Sequence, residues 1–132
     1  MNQITAQVQE IQSVQNLNIL TLTCKYTPLK MTTLDLNETI TKESQVVLTC
    51  KPTSVAIGKN IQGELSFSNQ LHVKIISLEV GQLLCALQLQ FDEFFLESII
   101  TTDAQKRMQL QVDDEVIALI KSTDLSIAKV LS

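Results

Sequence analysis

Aromatic residues make up 4% of this 132-residue chain, and tryptophan is absent. Its ten lysines and arginines form no run or patch, and the net charge is −4. Binding nucleic acid without regard to sequence requires a basic footprint, so neither DNA nor RNA is an expected partner. Cysteine is scarce: Cys24, Cys50 and Cys85 are odd in number, lack CxxC spacing and sit in apolar, strand-like stretches. A disulfide framework or a zinc site is therefore not expected, and the three read as small buried hydrophobes. The one histidine, His72, stands on an alternating stretch beside Val73. With no Ser/His/Asp or Cys/His arrangement suggested, the chain does not read as an enzyme. No apolar run reaches the roughly 18 residues of a membrane span, so no membrane insertion is expected. Residues 1–8 alternate and have neither a basic n-region nor an apolar h-region. They read as a strand rather than a signal peptide, and the expected compartment is the cytoplasm.

What the chain does have is a repeat, which has to be sought before any other pattern. Val116–Lys129 runs through apolar residues to Lys121, Ser122 and Thr123, then through a second short apolar alternation. Val46–Lys59 does the same. Lys51 aligns with Lys121, Thr53 with Thr123, Ile57 with Ile127 and Lys59 with Lys129, each pair 70 positions apart. Further upstream Asn2 aligns with Asn69, Val8 with Ile75, Leu20 with Leu87 and Leu22 with Leu89, 67 positions apart. The second copy thus carries three extra residues, which fall in the segment Thr101–Leu110. The expected organisation is a first, shortened module over 1–59, a connection over 60–65 and a second module over 66–132. A domain of about 60 residues buries too little surface to be comfortable alone. With 45% hydrophobic and 18% charged residues, part of the apolar surface is expected to face the other module or another subunit.

Residues 4–11 and 17–24 alternate with the period of half-buried strands, with a hairpin connection between Val14 and Asn18. A third strand follows over Leu29–Leu34, and residues 35–39 are turn-like. Val46–Cys50 and Ser54–Ile57 are expected to form a pair of short strands around Lys51-Pro52-Thr53, where Pro52 cannot donate to a ladder. In the second copy Thr102 or Asp103 is the expected N-cap of a short helix that the first copy lacks. Five short strands and one small helix fit an oligonucleotide/oligosaccharide-binding (OB) type barrel. The predicted class is mainly β: two tandem OB-type five-stranded barrel modules, the second with a short helix. A β-sandwich split into halves is the competing fold, and the close repeat weighs against it.

The second copy also resembles the molbindin module, known as the TOBE or Mop domain. That family opens with Ser-Ala-Arg-Asn before an apolar strand, where this chain has Ser66-Phe67-Ser68-Asn69-Gln70-Leu71. The family's central Ile-Thr-x-x-Ser meets Ile100-Thr101-Thr102-Asp103-Ala104. Its closing Gly-Asp-x-Val, Ile-Lys-[Ala/Ser]-Thr and Val-x-Ile-Ala meet Asp113–Val116, Ile120–Thr123 and Leu125–Ala128. The resemblance covers residues 66–132 and reaches 1–59, more weakly, through the repeat. It implies cytoplasmic binding, storage or homeostasis of molybdate or tungstate without chemical conversion, and no organic cofactor. Implied partners are the oxyanion and other copies of the chain, in a homotrimer, with a dimer as the alternative. A second reading is an oxyanion-sensing module acting on a separate transcription regulator or molybdate transporter. Neither a helix-turn-helix nor a phosphate-binding loop is present to make the chain a regulator or a transporter ATPase by itself.

By the same resemblance the oxyanion ligands are Ser66, Ser68, Asn69, Thr101, Lys121, Ser122 and Thr123, with Asn2, Lys51 and Thr53 as a second site. The residue types suit the task. A tetrahedral dianion takes charge-assisted hydrogen bonds from an ammonium, hydroxyls and backbone N–H groups, and Lys-Ser-Thr at a tight turn offers all three. Against this, a lysine at a strand end is commonly just solvated, and Thr101 can serve only as a helix cap. Two positions depart from the family pattern: Ser68 replaces the usual arginine and Ala104 the usual serine. These losses leave a site that is either weaker or dependent on a cation from elsewhere, such as Lys59 or Lys74.

Overall fold

Alternation along the chain becomes ten strands. In the computed structural model, which describes residues 1–132, the first copy supplies β1 (Asn2–Val14), β2 (Leu17–Cys24), β3 (Thr27–Thr33), β4 (Gln45–Cys50) and β5 (Ala56–Gly58). The second supplies β6 (Asn69–Val80), β7 (Leu84–Phe91), β8 (Phe94–Thr101), the helix α1 (Thr102–Met108), β9 (Glu115–Ile120) and β10 (Ser126–Val130). Side chains on successive strand residues point to opposite faces. So Ile4, Ala6 and Val8 of β1 are buried, as are Leu20, Leu22 and Cys24 of β2. Leu71, Val73 and Ile75 of β6 and Cys85, Leu87 and Leu89 of β7 repeat the pattern. Bulges shift the register at Val8/Glu10 in β1 and at Ile75/Ser77 in β6, which are equivalent positions of the two copies.

The strands form two five-stranded sheets, ordered β10-β4-β1-β2-β3 and β5-β9-β6-β7-β8. Each sheet takes four strands from one copy and its remaining edge strand from the other. This differs from the expectation that residues 46–50 pair with 54–57. β4 pairs with β1 and β10, whereas β5 pairs with β9. The reason is the turn between them. Pro52–Ser54 is a single 3₁₀ turn entered and left by extended residues, Lys51 at ψ 143° and Val55 at ψ 113°. Such a turn carries the chain onward into the other sheet and does not fold it back as a hairpin. Ser122–Asp124 does the same between β9 and β10.

Two asparagines seal the exchange. Asn69 is fully buried at the start of β6. Its Oδ1 accepts from the Lys30 backbone N–H at 2.7 Å, and its Nδ2 donates to the carbonyls of Lys30 at 2.9 Å and Ile120 at 3.1 Å. Asn2 repeats this on β8: Oδ1 accepts from Glu97 N–H at 2.7 Å and Nδ2 donates to Glu97 O at 2.8 Å. Each carboxamide thus imitates a peptide group and pairs with the free edge of the other copy's third strand. Two more bonds cross the same boundary: Ser98 Oγ donates to Val55 O at 2.6 Å, and Thr32 Oγ1 donates to Ser122 Oγ at 3.0 Å. Where the β2–β3 and β7–β8 turns meet, Lys25 pairs with Glu93 at 2.8 Å. One hydrophobic cluster runs through both copies.

The three extra residues of the second copy build α1. Its N-cap is Thr101, whose Oγ1 accepts from Ala104 N–H at 3.1 Å, rather than Thr102 or Asp103. Thr102 is buried and donates to Gly81 O at 2.8 Å, so it cannot cap. Lys59 Nζ donates to the carbonyls of Met108 and Gln109 at 3.1 and 3.2 Å, a cation at the helix C-terminus. The first copy has turns here, and a cleft of about 390 Å³ opens between residues 35–40 and β10. Ile40 still plugs its barrel end as Leu110 plugs the other.

The carboxamide seals make a stability prediction. Asn69→Ala leaves the Lys30 and Ile120 groups unpaired, at about 1–3 kcal/mol for each buried group left unsatisfied. Urea unfolding should lose at least about 2 kcal/mol and remain a single transition, because both sheets depend on the same seal.

Candidate functional site

The residues singled out in the sequence gather around the two 3₁₀ turns, but not in the groups expected. Asn69 lies opposite Ile120 in the β6–β9 ladder. That register sets Ser68, the residue before β6, beside Lys121, the residue after β9. Ser66 and Ser68 are exposed in the segment leading into β6, and Lys121 and Thr123 are exposed on the turn. Ser122 is half-buried because it packs on β3, where its oxygen accepts from Thr32. Accepting from Thr32 leaves its own hydroxyl available as a donor. Lys121 has no carboxylate within ion-pairing distance: the five ion pairs of the chain use Lys25, Lys59, Lys74 and Arg107.

Asn69 has a different duty from the one its motif suggests. Both of its amide hydrogens are committed to carbonyls, so its side chain has none left to offer an anion. It frames the site by fixing β3 against β6. Thr101 stands apart from Lys121. It pairs with Leu84 at the far end of the second sheet, while Asn69 and Ile120 mark the near end. β8, the strand that ends in Thr101, packs against the first turn, Pro52–Ser54. The structure therefore brings Ser68, Asn69, Lys121, Ser122 and Thr123 together with β3. It brings Asn2, Lys51 and Thr53 together with β8. Lys51 and Thr53 are exposed, and Asn2 is buried and committed to Glu97.

Lys59 and Lys74, the expected substitutes for the missing arginine, are both engaged elsewhere. Lys59 caps α1 and lies 3.5 Å from Asp114, and Lys74 lies 3.9 Å from Asp113. The residue at the turn that sequence reasoning missed belongs to the other copy: Thr32 on β3. No local pattern marks it, because its nearness to the turn arises only when β3 meets the turn across the exchange. His72 and Lys74 line a shallow polar cleft of about 590 Å³ with Gln90, Asp92 and Glu115. Neither this cleft nor the one beside β10 includes a residue of the Lys121 turn. The candidate site is a convex turn with donors on one side.

Residues 65–127 match the family model described as the TOBE domain. The matched residues are those of the second copy. No curated protein matches it in sequence. Among solved structures it is similar to the cytoplasmic molybdate-binding protein ModG, in a form with molybdate bound. That likeness has a TM-score of 0.88 at 17% sequence identity and covers 96% of this chain and 94% of ModG. The shared architecture is the mainly β, two-module OB-type fold. The TOBE match begins just before Ser66 and ends at Ile127, so it holds the whole Ser66–Asn69 segment, Thr101 and the Lys121 turn.

The three cysteines lie inside the core. Cys24, Cys50 and Cys85 are free and buried. Burial pushes each thiol above its ordinary pKa, against partial relief from Lys25 at Cys24 and from the Asn2 hydrogen bond at Cys50. At pH 8 the native protein should therefore react with Ellman's reagent only as fast as it unfolds. Three thiols should appear promptly in denaturant.

Proposed function

We propose that the chain binds a tetrahedral oxyanion, molybdate or tungstate, reversibly and without chemical change. One observation carries this. Lys121 is an exposed lysine with no carboxylate partner, at a turn where Ser122 accepts from Thr32. An ammonium, two hydroxyls and the leading N–H groups of a 3₁₀ turn are the donor set that a dianion requires. A lysine, as a point charge, suits an anion that presents no planar fork. The TOBE match and the likeness to a molybdate-binding protein support the same reading. The binding group is Ser66, Ser68, Lys121, Ser122 and Thr123, with Asn69 holding the frame. Thr101 belongs to the other end of the sheet and reaches a site only if a neighbouring chain supplies one.

A convex turn leaves one side of an anion open to water, and a second chain can close it. Exposed apolar residues mark where chains meet. Val14, Leu17 and Leu34 lie at the end of the β1–β2 hairpin, and Val80, Leu83 and Leu84 lie at the equivalent β6–β7 end. Apolar tips of this kind are contact surfaces, and self-association into a closed homotrimer is the arrangement we favour. Storage and homeostasis of the oxyanion in the cytoplasm follow as the role, ModG being described as cytoplasmic.

Titration calorimetry with molybdate, tungstate and sulfate tests the reading. Molybdate and tungstate should bind, and Lys121→Ala should weaken both by about one to two decades, the loss of one charged hydrogen bond at about 1.5–3 kcal/mol. No heat with any of the three anions would leave the chain a TOBE scaffold without a ligand. Light scattering should give three chains per particle, and Leu17→Asp with Leu84→Asp should reduce that number.

A further inference from the structure

The two turns are related by the repeat and share Lys51/Lys121 and Thr53/Thr123, yet their surroundings differ. Each turn is walled by the third strand of the other copy. Beside Lys121 that strand is β3, with Lys30 pinned to Asn69 by two backbone bonds of 2.7 and 2.9 Å. Thr32, two residues on, shares the outward face of β3 with Lys30 and donates to Ser122 at 3.0 Å. Lys30 Nζ touches only the Thr21 hydroxyl, at 3.0 Å, and no carboxylate. Its stem is long and flexible, so the ammonium can turn to an anion seated at Ser122.

Beside Lys51 the third strand is β8, and the residue equivalent to Lys30 is Glu97, pinned to Asn2 in the same way. Thr32 is replaced by Ile99, Ser122 by Pro52 and Ser68 by Met1. The exchanged edge strands continue the contrast. The β5–β9 register of Ala56 with Leu119 sets Ser54 toward Lys121. The β10–β4 register of Ser126 with Thr49 sets Asp124 toward Lys51, and the charge of Asp124 is felt at Cys50. The Lys121 turn thus has Lys30, Thr32 and Ser68 near it and carries Asp124 itself. The Lys51 turn has Glu97, whose carboxylate accepts from Gln88 at 2.9 Å, together with Ile99, a proline that has no N–H, and the N-terminal ammonium, whose charge, like that of Asp124, is felt at Cys50.

We propose that each chain holds one oxyanion, at the Lys121 turn, and that Lys30 from the first copy is its second cation. Lys30 takes the place of the arginine that the TOBE pattern puts at Ser68. It arrives from the opposite strand, one backbone pairing away. The Lys51 turn keeps the shape of the site and, with Glu97 in place of Lys30 and Pro52 in place of Ser122, has lost the ligand. This assignment rests on the oxyanion reading and gives it a residue and a stoichiometry that the repeat alone would misstate.

The test is calorimetric titration of the full chain with sodium molybdate, for the wild type, Lys30→Gln, Lys30→Arg, Lys51→Ala and Lys121→Ala. The expected result is one anion per chain in the wild type. Lys30→Gln should bind about tenfold or more weakly at an unchanged melting temperature, Lys30→Arg should recover most of the loss, and Lys51→Ala should bind as the wild type. Two anions per chain, or a loss in Lys51→Ala, would overturn the one-site assignment. Wild-type affinity in Lys30→Gln with a loss in Lys121→Ala would overturn the role of Lys30 and leave the oxyanion reading intact. A wild type that binds nothing would overturn both.

Discussion

A strand exchanged between two sheets has to be sealed at the point where it leaves one and enters the other, and here two buried carboxamides do the sealing. Asn69 pairs with the Lys30 peptide group and Asn2 with the Glu97 peptide group, each with distances of 2.7–2.9 Å. Without them the outer edges of β3 and β8 would be buried against the other copy with their N–H and C=O groups unpaired, at a cost of kilocalories per group. With them, two modules that are each too small to bury an adequate core share one. The exchange of β5 and β10 makes the sharing reciprocal, since neither sheet is complete without a strand from the other copy.

The candidate site is a by-product of the same geometry. The chain must cross from one sheet to the other at Lys51–Val55 and again at Lys121–Leu125, and each crossing is a 3₁₀ turn that abuts the opposite copy's third strand. Donors from both copies therefore converge at each crossing whether or not they are used. Where the copies are alike, as in the seals, the bulges and the plugs Ile40 and Leu110, the constraint is architectural and acts on both. Where they differ, as at Lys30 and Glu97, the charge reverses while the fold does not. The copies are equal in fold and unequal in charge.

Much of this was legible in the sequence, and the remainder was hidden for identifiable reasons. Period-two alternation located the strands, the three-residue difference located α1, and the recurrence of Lys51 at Lys121 located both turns. Pairing partners were not legible, because alternation says which face of a strand is buried and nothing about which strand lies beside it. The strands around Lys51-Pro52-Thr53 were thus expected to pair with each other when they feed different sheets. A motif orders Thr101 and Lys121 along the chain and does not say how far apart they fold; the ladder sets them at opposite ends of one sheet. Asn69 was legible as important but not as structural. Its motif cannot distinguish a ligand from a carboxamide whose every donor is already spent on the backbone.

Hydrogen exchange measured residue by residue, with and without molybdate, addresses the whole account most directly, because it reports on both copies in the same sample. If one anion is held across the exchange, ligand should slow the amides of the 122–124 turn together with those of β3 around Lys30 and Thr32. The amides of the 52–54 turn and of β8 around Glu97 should be unaffected. Protection confined to the second copy, or equal at both turns, would contradict it.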